Sequence, residues 1–269
     1  MAFFYDTHAH LDYSDFSSEL EQVVQRANDN GIYRIVTIGT DFASSERAIA
    51  ISERFPEVFA AVGWHPTNAD DAPEDLRPKL LKLANHPKVV AIGETGLDYY
   101  RMPSQQTGAS EAEDLRYKAK QSQVFQQQLE VAAELGLNCV IHQRSSFEDT
   151  LSHMKPFAGR VSGVFHCFVD DSERMRRVLS AGSMVSFTGI ITFKNAQVIR
   201  DTAAAVPAGK FMLETDCPYL APTPYRGKRG EPAYVKYVAE TVAQIRNCSL
   251  QDLSDMTCGT AREFFPKLF

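Results

Sequence analysis

The stretch 3-FFYDTHAH-10 turns from apolar to polar within the length of one strand, and its reading decides the fold. Phe3–Thr7 has the apolar character of a strand buried on both faces, which would leave His8 and His10 at or just beyond its end. The same short apolar pattern recurs at Arg34–Ile38, Val58–Val62, Val89–Ile92, Asn138–Ile141, Ser162–Phe165, Met184–Phe187 and Phe211–Leu213. Segments of helical period separate these runs: Ser18–Asn30, Ser44–Phe55, Asp75–Asn85, Lys118–Leu135, Phe147–Met154, Ser172–Ala181, Asn195–Ala204 and Tyr234–Ile245. Asn30-Gly31 and Leu135-Gly136 supply the glycine that closes a helix in a left-handed turn. A last helix, Leu250–Phe264, follows Ser249 as its N-cap.

Eight strands alternating with eight helices over 269 residues predict an α/β protein, a (β/α)8 TIM barrel rather than an open doubly wound sheet. No internal repeat or linker divides residues 1–269, so a single domain is expected. Pro103–Asp114, rich in Ser, Gln, Gly and acidic residues, reads as an elaborated loop after the fourth strand.

The net charge of −6 is a poor match to duplex DNA, which non-specific binders meet with a strongly basic face. Bound divalent cations would add positive charge that the formal sum omits. Asp6 interrupts the N-terminal apolar run and no cationic region precedes it, which argues against a secretory signal. Ala181–Phe193, one of the longest uncharged stretches, is too short to span a membrane. The five cysteines form no CxxC pair and are odd in number, as suits a reduced protein. A cytoplasmic protein is expected, with no membrane association and no obligate protein partner.

With the strands drawn in this way, the chemistry-bearing residues collect at their C-terminal ends. His8 and His10 follow strand one, His65 follows strand three in 63-GWHP-66, and Glu94 follows strand four in 93-GETGLDYYR-101. His142 ends strand five, His166 ends strand six, and Asp216 follows strand eight in 213-LETDCPYLAP-222. In a barrel these ends open onto one mouth, where active sites form. Residues two apart on a strand share a face, so His8 and His10 can grip one cation together. Imidazole and carboxylate donors suit Zn²⁺, Mn²⁺ or Fe²⁺, and Mg²⁺ less tightly. A second cation would need His142 and His166, with Glu94 bridging the two. Asp216 could complete the first site and accept a proton from bound water.

Each residue also has a plainer reading. The HxH pair could be polar core, His142 and His166 satisfied buried histidines, Glu94 a salt-bridge partner and Asp216 a turn former. Six such coincidences at one barrel face weigh against that alternative. His86 and His153 sit near helix ends and read as solvent or capping residues.

The motifs DTHAHLD, GWHP, AIGETGLDYYR, IHQR, FHCF, VSFTGIITFKNA and LETDCPYLAPTPYRGKRGEP run in order from one end of the chain to the other. In these the whole chain resembles the TatD-related metal-dependent deoxyribonucleases, within the amidohydrolase-like barrels. The resemblance implies hydrolysis of DNA phosphodiester bonds with divalent metal, commonly as an exonuclease or general DNase. With the acidic net charge, this suggests a site that grips a single strand or chain end through two divalent ions (Mg²⁺, Mn²⁺ or Zn²⁺) and a few arginines. It carries metal-ligand roles onto His8, His10, Glu94, His142, His166 and Asp216, with catalytic roles for Glu94 and Asp216. His65 and Arg144 resemble substrate-side positions, and Tyr99, Arg101 and Arg226 are candidates for phosphate contact. The run 226-RGKR-229 offers local cations, or else a solvated loop. Cys217 stands where relatives often carry serine. An alternative on the same barrel is hydrolysis of an ester or amide, such as D-aminoacyl-tRNA deacylation. A nucleic-acid-binding protein with a vestigial barrel is disfavoured, because no proposed ligand is missing.

Overall fold

The computed structural model describes residues 2–268. Eight parallel strands follow one another in sequence order: β1 (Phe4–Ala9), β2 (Ile32–Ile38), β3 (Val58–Val62), β4 (Val89–Asp98), β5 (Asn138–Arg144), β6 (Gly163–Phe165), β7 (Met184–Phe187) and β8 (Phe211–Leu213). A parallel bridge between Ala9 and Cys217 draws β1 against the chain leaving β8, so the sheet curls into a nearly closed TIM-like barrel. The result is a single α/β unit, because each parallel pairing needs a crossover and helices supply it. The helices are α1 (Leu20–Asp29), α2 (Phe42–Arg54), α3 (Arg77–Ala84), α4 (Pro103–Thr107), α5 (Glu111–Leu135), α6 (Phe147–Met154), α7 (Ser172–Ser180), α8 (Gln197–Ala205), α9 (Val235–Arg246) and α10 (Leu250–Phe264). Among them no helix is long and apolar enough to cross a membrane.

Boundaries expected from sequence move in two regions, each for a local reason. Pro103–Asp114 is not an irregular loop: it holds α4 and the first turn of α5, which starts seven residues before Lys118. Ser110 opens α5 with a reciprocal capping box to Glu113, so two orphan N–H groups are satisfied and the helix can begin in a polar stretch. Asp114 then accepts hydrogen bonds from the backbone and side chain of Ser104, tying α4 back onto α5.

The second change concerns β1 and β4, which run past Thr7 and Ile92. Along β1, Asp6 pairs with Ile35 but Ala9 pairs with Thr37, so three steps on one strand oppose two on the other. Along β4, Ile92 pairs with Cys139 and Thr95 with Ile141, the same mismatch. Each strand therefore bulges, at Thr7–His8 and at Gly93–Glu94, and a bulge re-aims the side chains that it carries. Gly96 lets β4 stay against β5 beyond the bulge: its φ is +137°, and a Cβ there would lie 2.0 Å from the His142 carbonyl oxygen.

Strand residues alternate between two cores. One set packs outward against the helices. The other fills the barrel interior away from the mouth: Val36, Ile38, Phe59, Val90, Val140, Val164, Met184 and Met212. Phe264, Phe265 and Leu268 plug that end. Phe265 is wholly buried, so Phe265→Ala should cost about 3–5 kcal/mol, read as a lower denaturant midpoint at unchanged slope. A loss below about 1 kcal/mol would mean that the plug does not support the barrel.

Candidate metal centre

The two bulges and the closing bridge help to bring residues at the ends of six strands, β1, β3, β4, β5, β6 and β8, to one point at the C-terminal mouth. His8 and His10 face each other with Nε2 atoms 3.3 Å apart. Asp216 joins them, its Oδ1 3.6 Å from His8 Nε2 and 3.4 Å from His10 Nε2. The backbone places it there: the Asp216 N–H donates to the His8 carbonyl at 2.8 Å, across the β1–β8 seam. Asp216 has φ +60°, a left-handed conformation uncommon outside glycine but best tolerated by Asp and Asn.

Glu94 stands between this group and a second one. Its Oε1 lies 2.8 Å from His142 Nδ1, 2.8 Å from His166 Nε2 and 3.3 Å from His65 Nε2. Its Oε2 turns the other way, 3.5 Å from His8 Nε2 and 3.7 Å from His10 Nε2. Three groups of donors arise, each with ligand atoms within 4.8 Å of one another: His8, His10 and Asp216; His8, Glu94 and His166; and His65, Glu94 and His142.

Hydrogen bonds at the far side of the rings fix which nitrogen offers a lone pair. His10 Nδ1 donates to the Ile38 carbonyl at 3.1 Å, leaving Nε2 bare toward the site. His142 Nε2 donates to Asp98 Oδ2 at 2.9 Å, leaving Nδ1 bare. His65 has the opposite polarity. Its Nδ1 accepts from the Thr67 backbone N–H at 3.2 Å and lies 2.6 Å from the Thr67 hydroxyl. The proton therefore sits on Nε2, and His65 meets Glu94 as a donor rather than as a lone pair.

These donors fit a pair of cations on the chemistry of the set. Ring nitrogens lie close to one another, His8 Nε2 to His10 Nε2 at 3.3 Å and His166 Nε2 to His142 Nδ1 at 3.4 Å. Among the described residues, Glu94, Asp98, Asp216 and Glu214 have only histidines as cationic partners, no Lys or Arg. Buried acids and lone pairs converging without a fixed counter-charge are what a metal ion stabilises.

The titration of the metal-free cluster follows from the same contacts. Burial opposes charge on Glu94, yet the imidazoles of His166, His65 and His142 hold its carboxyl well below the ordinary carboxylate range. Asp216 is likewise lowered, burial being outweighed by His10 and His8. Burial lowers His8 and His65. His10, His142 and His166 are raised despite burial, by Asp216, by Asp98 with Glu94, and by Glu94 with Glu214 respectively.

The substrate-side candidates are more dispersed. Arg144 lies two residues beyond His142 on β5, exposed, with its guanidinium 3.6 Å over the Tyr100 ring. Tyr99 is engaged between α5 and α6, donating to Asp149 at 3.0 Å beneath the Lys118 ammonium. Arg101 is exposed on the segment that leads into α4. Arg226 is exposed and rests on the Phe193 ring at 4.2 Å. Arg229 is committed to structure: it pairs with Glu19 at 2.9 Å and donates to the Asp15 carbonyl. Cys217 is buried at the seam, where its carbonyl accepts the His10 N–H. Of the other histidines, His86 pairs with Glu53 and His153 packs near the Phe125 ring.

Three supporting acids escaped the sequence reading. Asp98 orients His142. Glu214 accepts from the Cys167 N–H at 2.7 Å and the Ser186 hydroxyl at 2.6 Å, 3.6 Å from His166 Nδ1. Asp6 is fully buried, and burial pushes its carboxyl up to about 8. It accepts from the Thr215 N–H and hydroxyl and from the His8 N–H, tying β1 to the segment that carries Asp216. The signal was spacing: Asp6 precedes His8 by two residues, Glu214 precedes Asp216 by two, and Asp98 follows Glu94 by four.

Comparison with known proteins gives the same picture from end to end. The model of the TatD related DNase family matches residues 5–266. The uncharacterized metal-dependent hydrolase YabD of Bacillus subtilis is 37% identical over 262 residues, 97% of this chain and 98% of YabD. The 3'-5' ssDNA/RNA exonuclease TatD of Salmonella typhimurium is 31% identical over 271 residues, 98% of this chain and all of that protein. The crystal structure of YJJV, a TatD homologue from Escherichia coli, superposes with a TM-score of 0.87 at 25% identity, covering 98% of each chain. The chain belongs to the TatD-related DNase family, metal-dependent hydrolases built on the amidohydrolase-type barrel.

Proposed function

We propose that this metal-dependent hydrolase cleaves phosphodiester bonds of DNA, acting on single strands or chain ends. The observation that carries the reading is the Glu94 carboxylate, which turns one oxygen toward His142 and His166 and the other toward His8 and His10. His8, His10 and Asp216 would hold one divalent ion, Mg²⁺, Mn²⁺ or Zn²⁺, and His142 and His166 the other, with Glu94 between them. When bound, such a pair makes water acidic enough to act as nucleophile and neutralises charge on the phosphoryl oxygens. The name of the Salmonella relative supports a nucleic-acid substrate.

The chain's own residues supply the remainder. Asp216 holds its negative charge at the edge of the cluster and accepts the proton released by the attacking water. Asp98 and the Ile38 carbonyl keep His142 and His10 in the tautomers that face the cations. His65, neutral and carrying its proton on Nε2, offers a hydrogen bond to a non-bridging phosphoryl oxygen. The exposed Arg144 guanidinium is placed to meet a neighbouring phosphate.

The direct test compares single-stranded DNA labelled at either end, duplex DNA and aminoacyl-tRNA, each with Mg²⁺, Mn²⁺ and Zn²⁺. Cleavage of the single strand is expected. Turnover of the tRNA ester alone would replace the nuclease reading with a deacylase. Asp216→Asn should lower kcat roughly 10²–10⁴-fold with little change in KM; near-normal turnover would take the proton-accepting role away from Asp216.

Cation binding should also depend on pH. Because His10, His142 and His166 titrate above the ordinary range in the metal-free protein, a cation must displace protons to reach their lone pairs. Binding should therefore release protons, and affinity should rise as pH increases from about 6 to 8. Calorimetry in buffers of different ionisation heat measures this, and an uptake of protons would contradict the assignment.

A further inference from the structure

Two exposed tyrosines stand at the mouth without any evident structural duty. Tyr219 is 54% exposed and Tyr100 is 52% exposed, and neither hydroxyl has a hydrogen-bond partner among the described residues. Their backbones, by contrast, are held firmly. The Tyr219 N–H donates to the Asp216 carbonyl at 3.0 Å, and a Cβ at Gly230 would lie 2.7 Å from the Tyr219 carbonyl oxygen. The Tyr100 N–H donates to Asp98 Oδ1 at 2.9 Å, on the carboxylate whose other oxygen orients His142. Both rings are thus anchored through residues that touch the donor cluster.

Each ring has a flat companion. Tyr219 stands edge-on to Tyr13, with centroids 6.1 Å apart, and Tyr13 in turn lies face to face with the His10 ring at 4.8 Å. Tyr100 carries the Arg144 guanidinium over its face, and Arg144 has no carboxylate partner among the described residues. The two pairs also lie across the mouth from one another. Tyr13 and Tyr219 follow β1 and β8, whereas Tyr100 follows β4 and Arg144 ends β5, and in an eight-stranded barrel these seams are opposite. The donor cluster lies between them.

We propose that these pairs are nucleobase platforms on the two sides of the scissile phosphodiester. Tyr219, backed by Tyr13, takes one base. Tyr100 with Arg144 takes the other, the guanidinium supplying a flat face and a charge for the adjoining phosphate. This inference rests on the phosphodiesterase reading and specifies its substrate as an unpaired strand of at least two nucleotides. Stacking tolerates any base, because every base has a π-face. It requires bases freed from their neighbours, which duplex DNA does not offer, so the platforms select single strands or frayed ends without reading sequence.

The test uses the full chain with Mn²⁺ and compares a short oligothymidylate with the same strand made abasic at its two terminal nucleotides. Tyr219→Ala and Tyr100→Ala should each raise KM for the oligothymidylate about tenfold with kcat nearly unchanged, as loss of stacking on one base implies. Wild-type protein should show KM raised about a hundredfold on the abasic strand, which loses both stacked bases, and there either substitution adds little. Tyr219→Phe should restore the wild-type KM, since the ring and not the hydroxyl is used. An unchanged KM in both alanine variants, or an equal rise on the two strands, overturns the platforms while leaving the phosphodiesterase reading intact. If wild-type protein cleaves neither strand, the phosphodiesterase reading itself falls, and the platforms with it.

Discussion

Everything at the mouth is organised around one carboxylate whose two oxygens face different ways. Glu94 is almost wholly buried yet remains charged because imidazoles surround it. A buried carboxylate without such partners would take up a proton. His8 with His10 and His142 with His166 in turn converge at 3.3–3.4 Å, an arrangement that repels when their lone pairs or protons face each other. The cluster is thus mutually dependent. Take away Glu94 and the rings lose the charge they share; take away the rings and Glu94 cannot stay ionised. Such interdependence makes single substitutions here strongly non-additive.

Geometry alone would not separate a ligand from a donor in this set, since His65 and His142 both approach Glu94 Oε1. The distinction comes from the far side of each ring. Asp98 pins the His142 proton away from the site, while the Thr67 N–H pins the His65 proton toward it. Two residues of the same type, at similar distance from the same oxygen, therefore receive different chemical tasks. Residues that never reach the substrate set that difference.

Much of this was legible in the chain, because apolar strands and the polar residues at their ends follow simple periodicity. The barrel itself follows from eight such alternations. What periodicity could not supply was the continuation of β1 and β4 beyond Thr7 and Ile92. A bulge breaks the two-residue alternation at the residues that carry function, so the strand pattern stops where the backbone does not. The same break concealed Asp98, which belongs to β4 only once the strand is followed past Glu94. The start of α5 was hidden for another reason: its first turn is polar and solvated, and its stability comes from the capping box at Ser110 rather than from an apolar face. Nor could the run 226-RGKR-229 be divided by composition. Only the fold reveals that Arg229 is held in an ion-pair network with Glu19 and Glu231, while Arg226 stays exposed.

That division bears on how an acidic protein would meet the polyanion proposed as its substrate. Many arginines here are already neutralised: Arg26 by Glu231 and Glu19, Arg47 by Asp12, Arg77 by Asp75 and Glu130, Arg177 by Glu148. The net charge of −6 then offers no broad attraction for a phosphate backbone. Positive charge can be concentrated at the mouth, in the cations that the cluster fits and in a guanidinium such as Arg144. A field so local rewards only a phosphate that enters the site, and screening by salt acts weakly on contacts at that range. Affinity for such a strand would otherwise come from uncharged surface, and the exposed aromatic faces of Tyr219 and Tyr100 beside the cluster are the platforms proposed to supply it. On the proposed reading an acidic exterior would work with the site, turning away duplex backbone while a single strand would be held by its bases and one phosphate at a time.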